Sequence, residues 1–521
     1  MNPTGVALAL LLLVHTVASL EFPPGFKFGV ATASYQVEGA WNVGGRTPSI
    51  WDEFSHKQPH RIYDGSNGDV ACDSYHLWKR DIEMMKELGV HFYRFSLSWN
   101  RLFPNGFTNQ VSADGVRYYN TLIDTLIANH IEPVITLFHF DLPQKFQDLG
   151  GWTNPLISDW FADYARASYS LFADRVKTWL TINEPLVVCD AVYHTGLYAP
   201  GILSPGIGSY MCIKNLLVSH ARAWRIYDEE FKPKYHGRAA ICNHHLWFES
   251  SDTSLQEETE LARQLLVGLY AHPIYSKTGG WPPTVEQFLA NKSLSEGYKR
   301  SRLPAFTPQE IDLIKGTHDF YGFNYYTSRL VERPAPGEEI KAWPLMGSQE
   351  LNVVLKVKPD WMASTAWWLN VYPPGLRRQL KWFRDQYGDV EILITENGYP
   401  ALETGFRDDQ RVDYYRRHLD QVLLSIYDDG VNITGYTAWS LMDNYEWYSG
   451  YTAKFGLYAV DFNSPQRTRT PRLSAHYYTA VIQHNSLNFT HYYTAQSRAA
   501  ICDTSILTVI TMISLWVINR V

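Results

Sequence analysis

The stretch TWLTINEPL, residues 178–186, and its downstream echo EILITENGY, residues 391–399, decide how this 521-residue chain is read. Each is a strand-like run of Ile, Leu and Thr that closes on a polar residue, a glutamate and a helix-breaking Pro or Gly. An ionised carboxylate is costly to bury at the end of an apolar strand unless something uses it. Glu184 and Glu396 are therefore the first candidates for a shared site built at strand ends.

Working outward, short β-rich runs alternate with longer amphipathic stretches from Phe26 to about Val481, with no Ser/Gly-rich linker and no repeat. The strand candidates are FKFGVATAS, FYRFSLSW, EPVITLFHF, WLTINE, GRAAICNHH, DFYGFNYYT, EILITENG and GYTAWSLMD. Between them WKRDIEMMKELGV and YYNTLIDTLIANHI carry apolar residues at helical spacing, and the second follows SADG, which can cap it. Eight strands apolar enough to be covered on both sides predict one α/β domain over residues 21–485, a (β/α)8 TIM barrel rather than an open doubly wound sheet.

A barrel places its chemistry at the C-terminal ends of its strands. In order those ends carry Gln36 with Glu38, Arg94 with Trp99, His139, Asn183 with Glu184, Asn243, Asn324 with Tyr326, Glu396 with Asn397, and Trp439 leading to Glu446 and Trp447. Concentrating polar and aromatic residues at one face predicts a single carbohydrate-sized pocket. The 18 Trp and 34 Tyr of the chain read first as core filling, and a sugar-binding cleft, where pyranose C–H faces stack on such rings, is the functional rival.

The net charge of −7 comes without a basic stripe, which excludes nucleic acid as a partner. No Gly-rich phosphate loop stands between a strand and a helix, and the five cysteines show no CxxC spacing, so neither a nucleotide nor structural zinc is expected. His244 and His245 are no metal pair, because adjacent strand residues face opposite ways. The expected chemistry needs no metal and no cofactor.

Cleaving a glycosidic bond requires an acid to protonate the departing oxygen and a carboxylate on the anomeric side. Desolvation and a nearby anion are expected to raise Glu184 and keep it protonated, while Arg94 and the Tyr326 hydroxyl keep Glu396 ionised and aimed.

FPPGFKFGVATASYQVEGAW, YRFSLSW, TLFHFDLPQ, TINEP, ITENG and WSLMDNYEW, in this order, resemble the motifs of family 1 glycoside hydrolases, the β-glucosidase family, from about Phe22 to Tyr478. The resemblance implies hydrolysis of small-molecule β-glycosides with retention, through a covalent glycosyl-enzyme intermediate. It makes Glu184 the acid/base and Glu396 the nucleophile. Arg94 and Tyr326 flank the nucleophile, Asn324 supports it, and Asn183 holds the sugar 2-hydroxyl. Gln36, His139 and Glu446 resemble the clamps on the outer hydroxyls, Trp439 the stacking floor and Trp447 its border; Trp368, in WWLNVYPPG, resembles the aromatic wall of the leaving-group side. Phe140 stands where the family usually has Trp, and Pro400 follows the nucleophile closely. Myrosinase-type thioglucosidase activity and a non-catalytic sugar-binding surface protein are the rival readings.

Residues 1–20, apolar from Val6 to Val14, read as a secretory signal, which places the protein outside the cell or on its surface. Disulfides among Cys72, Cys189, Cys212 and Cys242 are then permitted, in any of three pairings. Sequons at Asn291, Asn432 and Asn488 agree with that route. In the tail, residues 486–521, the apolar run Ile506–Ile518 is read as a membrane attachment, either a removed GPI signal or a single-span anchor, with a packed terminal helix as the alternative. Nothing in the sequence sets the oligomeric state.

Overall fold

A computed structural model describes residues 21–342, 347–402 and 405–490. The signal-like leader, the apolar tail with Cys502, and Trp343 lie outside the described residues. Among the described residues no helix is long and apolar enough to cross a membrane.

The first nine strands are β1 (Lys27–Ala31), β2 (Phe92–Ser96), β3 (Glu132–Phe138), β4 (Thr178–Asn183), β5 (Arg238–Glu249), β6 (Tyr321–Glu332), β7 (Val354–Lys356), β8 (Ile392–Asn397) and β9 (Ile433–Trp439). All but β7 are parallel and close into a barrel, β9 returning to β1. The eight expected strands are therefore the eight barrel strands, and β7 is an addition, paired antiparallel to the far end of β6. Helices such as Ser74–Leu88, Ala113–Ala128, Ile157–Phe172 and Asp409–Tyr427 cover the outside. The expected cap is present: the Ser112 hydroxyl accepts from the Gly115 amide.

The barrel interior is layered. Phe92, Val134, Leu180, Ala240, Cys242, Phe320 and Leu393 form a buried apolar cluster of their own at the lower end. Phe92 fits only because β1 offers it a glycine: a Cβ on Gly29 would run into the ring. Above this plug the lining turns polar, with Arg94, Thr136, Asn183, Asn324 and Thr395 all buried. An apolar floor under a polar layer excludes water from below and leaves the polar groups to one another and to whatever enters from above.

Two features depart from the expected strands. First, β5 and β6 each run for 12 residues, past the ends read at His245 and Thr327, and pair through Glu249 and Leu330 with a register shift between His245 and Leu246. Their extension forms a two-stranded wall above the barrel rim. Second, Trp99 opens a short helix and stacks on Tyr164 at 4.2 Å in the core, so it does not line the pocket. Its run continues past the strand, and the chain turns the ring toward helix Ile157–Phe172 instead.

Of the three disulfide pairings, Cys189–Cys212 forms, while Cys72 and Cys242 are free and buried. The bridge ties the segment after Glu184 to helix Gly208–Ile226. Closing a loop with a sequence separation of 23 stabilises by roughly 3 kcal/mol in the chain-entropy picture. Cys189→Ser with Cys212→Ser is expected to lower the thermal midpoint by several degrees, which calorimetry checks; an unchanged midpoint would mean the bridge constrains nothing in the unfolded chain. The three sequon asparagines are all exposed.

Candidate active site

Glu184 and Glu396 reach one pocket through the same device. In β4 the register with β5 slips between Leu180 and Asn183, and in β8 the register with β6 and β9 slips around Thr395. A bulge re-aims the side chains that follow it. Thus Thr395 and Glu396, though adjacent, both contact interior groups, the Thr395 hydroxyl donating to Asn324 at 2.6 Å. Glu184 itself sits in the left-handed region at φ 44°, a conformation that costs a residue with a Cβ about 1 kcal/mol.

Arg94 is the hub below the pocket. Its guanidinium donates to Glu396 Oε1 at 2.5 Å, Asn183 Oδ1 at 2.6 Å, the Thr395 carbonyl at 2.9 Å and Thr136 at 3.2 Å. The Tyr326 hydroxyl donates to the other Glu396 oxygen at 2.6 Å. On Glu184, Oε1 accepts from Asn324 Nδ2 at 2.8 Å and meets His244 Nδ1 at 3.0 Å. Asn183 also contacts His139 Nε2 through its amide nitrogen at 3.1 Å. Gln36 donates to Asn444 and to the Tyr445 carbonyl at 2.9 Å, and to Glu446 at 3.4 Å. Gln36 Oε1 and His139 Nδ1 are among the buried polar atoms of the described residues that have no protein partner.

The pocket above encloses about 620 Å³ counted out to its mouth, within the range of small-ligand sites. Of the residues expected there, Glu184, His139, Tyr326, Trp368, Glu396, Trp439, Glu446 and Trp447 line it, and Gln36, Arg94, Asn183 and Asn324 support the lining from beneath. His139 lies parallel to Trp439 at 5.9 Å and to Trp447 at 6.0 Å. Phe140 packs on Trp447 at 5.1 Å, so its ring keeps the packing of the indole it resembles a replacement for. Trp368 stands edge-on to Tyr326 at 5.5 Å, and the Pro400 carbonyl accepts from the Thr365 amide, bracing the Trp368 loop. Glu38 is not part of the pocket: Arg101 and Tyr119 hold it at 2.8 and 2.6 Å. Of the two adjacent histidines, His245 packs in the core against Phe323 and bonds Tyr321, and only His244 faces the pocket.

Six lining residues had no site role in the sequence reading: Val187, Tyr198, His244, Leu246, Arg329 and Phe455. Leu246 and Arg329 lie beyond the read ends of β5 and β6, and the length of that wall was the missing signal. Arg329 is buried, bonds the Ser328 carbonyl at 2.7 Å and the Thr327 hydroxyl at 3.1 Å, and also donates to the Trp368 carbonyl. Burial pulls its pKa down to about 10.

The charge balance differs from the expected one. Burial, opposed by Arg94 and reinforced by the Glu184 charge, pushes Glu396 up to about 7. Burial also works against Glu184, but the His244 ring, the Asn324 amide and Arg94 together hold its carboxyl below the usual carboxylate range. The expectation of a raised Glu184 beside a fully ionised Glu396 is thus reversed in the unliganded site, because a histidine on β5 touches Glu184. Glu446 rises to about 8 through burial and the charges of Glu396 and Glu184, so near neutral pH it is a hydrogen-bond donor as well as an acceptor. His139 is held neutral by burial and by Arg94.

Such a pocket, with two buried carboxyl groups and aromatic walls at the upper rim of the barrel, is built for work on sugars: the protein is a glycoside hydrolase. Residues 18–487 match the model of glycosyl hydrolase family 1, and the chain belongs to that family. It is 43% identical to Myrosinase 1 of Brevicoryne brassicae over 472 residues, 89% of this chain and 98% of that protein. Over another 472-residue match it is 41% identical to the cytosolic beta-glucosidase of Homo sapiens, covering 90% and 99% of the two chains. Among solved structures, an aphid myrosinase superposes with a TM-score of 0.84 at 42% identity, covering 89% of this chain and 99% of that one. A Humicola insolens GH1 beta-glucosidase in complex with glucose gives 0.82 at 34%, covering 89% and 99%.

Proposed function

We propose that this chain is a retaining β-glucosidase in which Glu396 is the nucleophile and Glu184 the acid/base. The observation that carries the reading is the grip on Glu396: Arg94 and Tyr326 each hold one of its oxygens, which fixes the carboxylate at the pocket floor. In the first step Glu396 attacks the anomeric carbon, the glycosidic C–O bond breaks, and Glu184 donates its proton to the departing oxygen. In the second, Glu184 takes a proton from water, the water oxygen bonds to the anomeric carbon, and Glu396 leaves. Asn183, fixed by Arg94, binds the sugar 2-hydroxyl, where a hydrogen bond strengthens as positive charge develops on the ring. Gln36, His139 and Glu446 take the outer hydroxyls over the Trp439 floor, Trp447 borders them, and Trp368 walls the leaving-group side. A site built to bond a given hydroxyl rejects the epimer that lacks it, so Glu446 and Gln36 set the preference among glucose, galactose and fucose.

A thioglucosidase is the second reading. It is favoured by the similarity to the Brevicoryne protein and by the buried Arg329 guanidinium on the outer wall, which attracts an anionic aglycone. Initial rates on aryl β-D-glucoside, β-D-galactoside, β-D-fucoside and a glucosinolate, with NMR of the first-formed sugar, test both. Fastest turnover of the glucoside with the β-anomer first is expected; α-anomer first would overturn retention, and turnover confined to the glucosinolate would overturn the first reading in favour of the second. The Cys189–Cys212 bridge and the exposed sequons at Asn291, Asn432 and Asn488 support export to an oxidising compartment, with the tail as the means of any membrane attachment.

A further inference from the structure

Among the described residues, His244 is the one histidine lining the pocket whose ring touches a carboxyl group proposed to react. Its Nδ1 lies 3.0 Å from Glu184 Oε1, the same oxygen that accepts from Asn324 at 2.8 Å. Both partners are at most 7% exposed, so water screens the contact little. The ring is set parallel to Tyr326 at 6.3 Å and sits on β5 opposite Asn324 on β6, which fixes its direction. Asn324 donates to Oε1, and His244 Nδ1 donates to the same oxygen when Glu184 is ionised.

We infer that His244 is a positioning residue whose contact with Glu184 Oε1 biases the reaction toward β-glycosides of strongly acidic leaving groups, nitrophenols and thiols. The inference rests on the reading of Glu184 as the acid/base. A carboxylate at this place is ready to act as general base in the second step but is poorly supplied with the proton the first step needs. Aglycones that depart as stable nitrophenolates or thiolates need no such proton, whereas unsubstituted phenol, alkyl and sugar leaving groups do. The charged and titratable groups around it are Glu396 on β8, Glu446 beyond β9 and Arg329 on β6, which line the same pocket, with His245 its chain neighbour and Arg94 below. His244 makes and breaks no bond in the reaction; it acts through its hydrogen bond to Glu184.

The test compares the full-length protein with His244→Ser and His244→Asn on phenyl and dinitrophenyl β-glucoside across pH. Both variants remove the imidazole, and Asn keeps an amide near Oε1, so the pair separates the ring from a hydrogen bond at that oxygen; circular dichroism identifies which variants fold. Expected is a rise of about ten-fold in the ratio of kcat/KM for phenyl to dinitrophenyl glucoside, with the basic limb of kcat/KM moving to higher pH, because Glu184 then keeps its proton longer. A merely structural role would depress both substrates alike and leave the ratio and the limb in place, and that result in the folded variants overturns the inference. Glu184→Ala is run in parallel with azide. Formation of β-glucosyl azide upholds Glu184 as the acid/base, so an unmoved ratio then overturns the His244 inference alone; failure to form it, with the variant folded, overturns the reading of Glu184 and the inference with it.

Discussion

Glu396→Gln is expected to abolish turnover, lowering kcat/KM on aryl β-glucosides on the order of 10⁴-fold or more, because no other carboxylate can form the covalent bond to the anomeric carbon. Arg94 and Tyr326 keep donors aimed at the side-chain oxygen that remains, so glucose binding measured by calorimetry should persist. Retained hydrolysis in this variant would remove Glu396 from the reaction and with it the assignment of the pocket floor.

The second large effect belongs to Glu184. Glu184→Gln removes the proton donor, and kcat/KM for phenyl glucoside should fall about 10³-fold while dinitrophenyl glucoside, whose leaving group departs unaided, falls much less. The acid limb should move as well. The Glu184 charge is among the causes that raise Glu396 to about 7, so neutralising it lowers the Glu396 pKa. Glu396 must be ionised to attack, hence activity on the dinitrophenyl substrate persists to lower pH in the variant than in the parent. An acid limb that stays in place, or moves up, would show that the two carboxyl groups do not sense one another, which contradicts their shared burial.

Much of this was legible in the chain because a parallel barrel strand is covered on both faces and writes itself as a short apolar run. WLTINE and EILITENG gave both strand ends, and the six motifs carried the polar residues to the same rim. What the runs withheld was whatever depends on strand pairing in space. Trp99 follows a readable strand but belongs to the next helix. β5 and β6 continue past their apolar cores as a paired wall, which no alternation pattern announces, and this wall delivers Leu246 and Arg329 to the pocket, while His244, inside the read end of β5, meets Glu184 across the barrel rim. The sign of the Glu184 shift turned on that single unseen contact: two carboxyl groups and one arginine argue for one protonation pattern, and adding an imidazole reverses it. The Cys189–Cys212 pairing was equally out of reach, since spacing alone permits three connectivities.

The Arg94 side chain bonds β3 through Thr136, β4 through Asn183 and β8 through Glu396. One rigid planar group therefore couples Glu396 to Asn183, above an apolar plug and beneath every rim loop. Such a keystone divides the molecule into two parts that can change at different rates. The loops above can be exchanged, lengthened or recut for another aglycone without disturbing the reacting geometry, whereas a change at Arg94 would reach three strands at once.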